Sequence, residues 1–339
     1  GVILILGGPR YATIEVEIYR QAVHLFNLPM AAALAILQII FTFVFMWVYT
    51  WFQQRTTVSL YPETRRSILK VPRTGREQFM LWGNILLILV LLGSPLIALI
   101  IQSFTTEGGC SLMFYRALFE NRAQSIFYIP PVEAVGYSLF FAVVTLFLSV
   151  AVGLFAATYL SGPKSTVSNI LDPLFMLPLA TSAVTLGFGF IIALDSPPLN
   201  LRTSLLLVPL AHSLVAYPFV VRSVLPALRS MPRSMKESAS LLGASPVRTW
   251  LNITVPVVRR AILVGAVFAF TISIGEFGAT VFVARPQTPT MPLAIYRFLG
   301  QPGALNYGQA MAMSTILMLV TAGGFLFLDK IRIGKEGEL

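Results

Sequence analysis

Residues 236–256 read KESASLLGASPVRTWLNITVP. They form the core of a polar interruption, Arg222 to Arg260, in a very apolar half of the chain. The grammar of the stretch is helix, break, helix. Pro232 suits a first helical turn, where its missing N–H would be unpaired anyway. Met235, Ala239 and Leu242 then recur at helical spacing. Gly243 falls where a left-handed residue ends a helix, a conformation glycine adopts at least cost. Ser245-Pro246 reads as an N-cap followed by proline at the first position of a second helix, which Pro256 is expected to stop. The stretch therefore predicts a bent helical hairpin between two apolar runs. On spacing alone a plain interfacial connector remains open.

The chain has 339 residues, of which 56% are hydrophobic and 11% charged. A soluble domain of this size needs more charge to cover its surface. The apolar residues come in runs long enough to cross a bilayer, which takes about 20 residues. The predicted class is an all-α, polytopic transmembrane helical bundle. A formal charge of +10 would suggest nucleic acid for a soluble protein; here loop lysines and arginines explain it, and no nucleic-acid partner is expected. A single cysteine, Cys110, excludes an internal disulfide, and two distant histidines, His24 and His212, argue against a metal or hydrolase site. No cofactor or metal is expected, and no GxxxxGK[ST] is present to bind ATP.

An internal repeat organises the chain. GVILILGGPRYATIEVEIYR, from Gly1, lies over GATVFVARPQTPTMPLAIYR, from Gly278. Pro9 meets Pro286, Thr13 meets Thr290, and Ile18-Tyr19-Arg20 meets Ile295-Tyr296-Arg297. After a two-residue slip Asn27 meets Asn306 and Ala31 meets Ala310, and an apolar span follows in both copies. Residues 1–55 read as the tail of a first half, ending in span Met30–Trp51. Residues 56–78 read as a linker, 79–330 as a complete six-span half, and 331–339 as a tail. The spans of that half are Phe79–Ile101, Ala134–Leu160, Pro173–Leu194, Leu205–Val221, Ala261–Ala284 and Gly308–Leu328. Leu205–Val221 holds Pro209, His212 and Pro218, which places it inside the bundle, where neighbours can satisfy freed backbone groups. The chain is expected to lack an upstream first half.

The loops predict orientation. Arg55, Arg65, Arg66, Lys70, Arg73 and Arg76 outweigh Glu63 and Glu77, and seven basic residues against one acid lie between Arg222 and Arg260. Loop 102–133 has Arg116 and Arg122 against Glu107, Glu120 and Glu133. The positive-inside rule puts the hairpin, the linker and the C-terminus in the cytoplasm.

The hairpin resembles the EAA loop of ABC importer permeases. The matching series is Glu237-Ser238-Ala239, three residues, Gly243, nine residues, Ile253, Thr254 and Val255-Pro256, with Ser238 for Ala and Val255 for Leu as departures. GEFGAT, from Gly275, is similar to permeases for ferric iron, thiamine, molybdate and sulfate. The resemblance implies a permease of the fused two-half, ferric iron or thiamine type, in a bacterial-type inner membrane. It would be a non-catalytic subunit with type I importer architecture. Glu237, Ala239, Gly243, Ile253 and Pro256 would couple to a cytoplasmic ABC ATPase dimer, and an extracytoplasmic solute-binding protein would deliver the solute. Ferric iron or thiamine is the first expectation for that solute, with molybdate, tungstate or sulfate behind them.

The alternative is an ion-gradient-driven secondary transporter, which also explains spans and a repeat. It needs no cytoplasmic helix–Gly–helix hairpin and usually needs several intramembrane acids. Here the only acid well inside a predicted span is Glu276, flanked by Gly275 and Gly278, which allow close backbone approach or a break in the helix. Glu276 either faces the path or ties helices together. His212 lines the path or is a satisfied buried polar group. Thr181 and Ser182 face the solute or bond to their own helix. Tyr296 and Arg297 meet a binding protein or anchor at the headgroups.

Overall fold

A computed structural model describes residues 12–56, 72, 74–106, 108–120, 129–162, 165–194 and 200–333. Most of the 56–78 linker, the Gly1–Pro9 part of the repeat and Lys335 lie outside the described residues. The described residues open with α1 (Ile14–Tyr19), which runs into a π-turn over Arg20–His24, and α2 (Leu28–Thr56). Helix α3 (Gly75–Phe104) leads through a two-stranded ribbon, β1 (Thr105–Thr106) paired antiparallel with β2 (Gly109–Cys110), to α4 (Met113–Ala117). Then come α5 (Glu133–Leu160), α6 (Thr166–Ala180), α7 (Ala183–Leu194) and α8 (Leu207–Ser230). The hairpin contributes α9 (Arg233–Leu241) and α10 (Pro246–Thr249). A π-turn, Trp250–Thr254, leads to α11 (Val255–Gly275), α12 (Thr280–Val283), α13 (Met291–Leu299) and α14 (Ala304–Ile333).

Six of these helical stretches are long and apolar enough to cross a membrane, and α6 with α7 makes a seventh if the bent pair is one span. Four boundaries differ from the sequence reading. The span read as Phe79–Ile101 starts at Gly75, because Thr74 and Glu77 form a capping box: Glu77 N donates to Thr74 Oγ1 and Thr74 N to Glu77 Oε2. Pro173–Leu194 is not one straight span. It bends by 107° after Ala180, two residues past Pro178. Span α8 runs to Ser230, with Pro218 and Pro226 inside it, so Arg222 lies two turns within a helix rather than in a loop. Ala261–Ala284 is cut at Gly275, leaving Glu276 at a break rather than inside a helix.

Helix α8 is the axle of the bundle. Gly153 of α5 and Gly265 of α11 face Val220 of α8 from either side. A Cβ on Gly153 would lie 2.7 Å from Val220 Cβ, and one on Gly265 3.0 Å from Val220 Cα. Small residues allow such approach, and in lipid, where burial gives no hydrophobic gain, close van der Waals packing holds helices together. Ala156, Ala157, Val224 and Ala269 fill the same core. A second core forms around α14, where Phe114, Phe270, Ile274, Met291 and Met313 meet. Met291 N donates to Ser138 Oγ over 2.8 Å, tying α13 to α5.

The repeat tail does not stand apart. Helix α2 packs on α6, and α1 on α7. Ile18, Ala22, Ala31 and Ala35 form a cluster with Phe188 of α7. Thr185 Oγ1 of α7 donates to Gln38 Oε1 of α2 at 2.6 Å. The small residues of the repeat tail find the exposed flank of the bent α6–α7 pair.

Candidate functional site

The hairpin is built as its residues dictate. Gly243 has φ of +80°, and Ala244 N reaches back to Ala239 O over 3.0 Å, the six-residue closure of a Schellman turn. Ser245 caps α10 by accepting from Arg248 N, with Pro246 in the first turn. Pro256 does not stop this helix. The π-turn at Trp250–Thr254 carries the chain straight into α11, where Pro256 sits in the first turn, its N–H not needed there. Ala239 is buried, Ile253 half-buried, and Glu237 and Pro256 exposed. The spacing gives no warning of what lies between them. Leu241 and Leu242 are each 88% exposed and Val247 67%, so the turn presents an apolar knob to its surroundings.

At the other end of the bundle two broken spans meet. The bend after Ala180 holds Thr181 and Ser182; the break after Gly275 holds Glu276 and Gly278. Thr181 Oγ1 donates to Leu177 O at 2.9 Å, within its own helix, and Ser182 Oγ accepts from Val184 N. Glu276 Oε1 accepts from Ala279 N at 2.9 Å and so caps the short α12. Neither of the roles weighed from sequence for Glu276 included this one. The breaks touch backbone to backbone. A Cβ on Gly187 would lie 2.7 Å from Ala279 Cα, and one on Gly278 3.2 Å from Val184 N.

His212 is completely buried behind them. Its Nδ1 meets Ser273 Oγ at 2.8 Å and its Nε2 meets Thr280 Oγ1 at 2.7 Å. Thr280 Oγ1 donates its own proton to Glu276 O, so it accepts from Nε2. In the neutral ring Nδ1 then accepts from Ser273. The imidazole links α8 to both sides of the α11–α12 break and faces no open cavity.

Tyr296 and Arg297 are half-buried. Tyr296 packs against Phe277, with ring centroids 5.0 Å apart, and its phenol meets that of Tyr19. Tyr19 in turn stands edge-on to Phe282 at 5.6 Å. The repeat aligned Tyr19 with Tyr296; the fold puts them in contact. Among the described residues no group of His, Cys, Asp or Glu is placed to hold a metal ion.

These features define a polytopic membrane bundle with an apolar-tipped hairpin at one end and paired helix breaks at the other. The sequence profile of the binding-protein-dependent transport system inner membrane component family matches residues 149–330, and the chain belongs to that family. It is 31% identical over 180 residues to a probable sulfate transport system permease protein, cysT, of Anthoceros angustus, covering 51% of this chain and 62% of that protein. It is 31% identical to the molybdenum transport system permease protein ModB of Mycobacterium tuberculosis, over 52% of this chain and 70% of that one. A putative 2-aminoethylphosphonate transport system permease protein, PhnV, of Salmonella typhimurium is 27% identical over 54% of this chain and 69% of its own. The fold is that of a bacterial ABC transporter involved in import of the acidic polysaccharide alginate. It superposes with a TM-score of 0.61 at 19% identity, over 76% of this chain and 95% of that one.

Proposed function

We propose that the chain forms part of the solute path of an ATP-driven importer and couples it to a cytoplasmic ABC ATPase through the 233–256 hairpin. The observation that carries this is the apolar knob. Leu241 and Leu242 stand 88% exposed on a turn closed at Gly243 by the Ala244 N to Ala239 O bond, in the register of the EAA pattern. Exposed apolar surface on a motif-bearing turn fits a protein partner's groove. The loop charges support a cytoplasmic hairpin and C-terminus. Hydrolysis belongs to the ATPase, and the solute reaches the path from an extracytoplasmic binding protein.

The repeat supports a two-half architecture. A residue on a two-fold axis meets its own equivalent, and Tyr19 meeting Tyr296 is that relation carried into a duplicated chain. On this reading residues 1–55 are the last part of a first half and α3 to α14 the second. Expression with the upstream half should restore uptake that residues 1–339 do not give alone.

For the solute, the resemblance favoured ferric iron or thiamine. The relatives are named for sulfate, molybdenum and 2-aminoethylphosphonate. They support the oxyanion choice that the resemblance ranked second, and a small oxyanion is the solute proposed here. The test is co-purification of the full permease with its ATPase, comparing wild type with a Leu241→Glu, Leu242→Glu variant. Retention by the wild type and loss by the variant are expected; equal retention by both would remove the coupling assignment.

A further inference from the structure

A cavity of about 570 Å³ opens between α2, α6 and α8. Phe41, Phe45 and Met46 of α2 and Ala180 at the end of α6 make its apolar wall, and Thr42 and Arg222 supply the polar groups. Its depth follows from three helices. At 1.5 Å per residue, Arg222 lies about 22 Å along α8 from Leu207, and Phe41 about 20 Å along α2 from Leu28. Ala180 lies about 21 Å along α6 from Thr166 at the opposite end. The cavity therefore lies part-way along the membrane-length helices α2 and α8 and beside the bend of the α6–α7 pair.

A guanidinium part-way along a membrane-length helix must face protein partners or water. Among the described residues Arg222 makes no hydrogen bond or ion pair, and its side chain is exposed in the cavity wall. Helices α2 and α8 carry no acid at all, and the one acid of α6, Asp172, lies two turns below Ala180. The site thus has a fixed cation, room for a small solute and, among the described residues, no counterion. We propose that Arg222 is a station for an oxyanion crossing the membrane, with the Thr42 hydroxyl as a second donor. A guanidinium offers paired donors that match two oxygens of a tetrahedral anion. The inference rests on the two-half reading above, because the cavity lies where the repeat tail α2 meets α6 and α8. A lipid phosphate presents the same chemistry, so the test must separate the two sources.

Cys110 is the single cysteine of residues 1–339, and it is removed together with any cysteine of the upstream half and partner subunits. The assembled transporter carrying Cys110→Ser and Thr42→Cys is reconstituted in phosphatidylcholine vesicles and, separately, in vesicles with added phosphatidylglycerol. Thiol modification is timed with an anionic and a cationic methanethiosulfonate. The expected result is about a tenfold preference for the anionic reagent, from one nearby uncompensated charge. Arg222→Gln should abolish it and Arg222→Lys should keep it. Millimolar sulfate, phosphate or molybdate should slow the reaction equally in both vesicles. No preference, or a preference indifferent to Arg222→Gln, overturns the proposal. So does slowing by phosphatidylglycerol without slowing by the free anions, which makes the cavity a lipid site. ATPase co-purification is scored on the same samples. Its loss with anion preference intact sinks the importer reading and leaves the site; the reverse sinks the site alone.

Discussion

Replacing Gly243 by valine isolates the conformational demand of the hairpin. The position has φ of +80°, and a Cβ built there meets nothing within 4 Å. The substitution therefore causes no clash and removes no contact; its whole effect is the cost of left-handed backbone. For an L-residue that cost is about 1–2 kcal/mol, and a β-branched side chain sits at the upper end. If the ATPase binds only the bent hairpin, the cost adds to the binding free energy, and Kd rises about 5- to 30-fold. Asparagine visits this region readily, so Gly243→Asn should bind within about threefold of wild type. The bundle itself, cored on Val220 and Phe270, should melt within about 1 °C of wild type in both variants. The assay is ATPase affinity for the nanodisc-embedded permease, paired with a thermal melt. Wild-type affinity in the valine variant would show that the bend is not what the partner recognises. Equal losses for valine and asparagine would show that the missing glycine matters for some reason other than φ.

Three further outcomes are expected. Gly187→Ala should lower thermal stability by about 1–3 kcal/mol through overpacking against the Ala279 backbone, whereas Gly189→Ala, with open space around its Cβ, should not; similar melts would disprove the close approach. His212→Leu leaves the Ser273 and Thr280 hydroxyls without their buried partner and should cost about 1–3 kcal/mol; a variant that melts normally yet fails in uptake would instead put His212 on the path. Cys110, exposed on β2, should react with an impermeant thiol reagent from outside, and a cysteine replacing Ser234 only from the cytoplasm; labelling from the opposite sides reverses the orientation.

The hairpin was legible because its signals are local. Glycine at a positive φ, a serine cap and a proline in the first turn each act within four residues, and Gly243, Ser245 and Pro246 behave as read. Pro256 misled because a proline near the start of a helix and one beyond its end look alike in sequence. The π-turn before it decides between them, and nothing in WLNIT announces that turn. The break at Glu276 was half legible: Gly275 and Gly278 allow a break or a close backbone approach but do not require one. Hydropathy runs on unbroken through Phe277 and Val281 while the backbone does not. Arg222 looked like the end of a span because charge usually marks one; α8 continues past it for two turns. The meeting of Tyr19 with Tyr296 is a tertiary fact. The repeat made them equivalent, but equivalence alone does not make neighbours.

The glycine contact between the two breaks also sets how the bundle can deform. Packed helices usually slide over one another by letting a layer of side chains change rotamer. Between Gly187 and Ala279, and between Gly278 and Val184, that layer is missing. The chain at one discontinuity is keyed into the chain at the other, and His212 pins the same joint from behind. A kink would ordinarily be the compliant point of a span. Here the two kinks stiffen each other, so they travel as a single body, and compliance is displaced to the straight helices on either side.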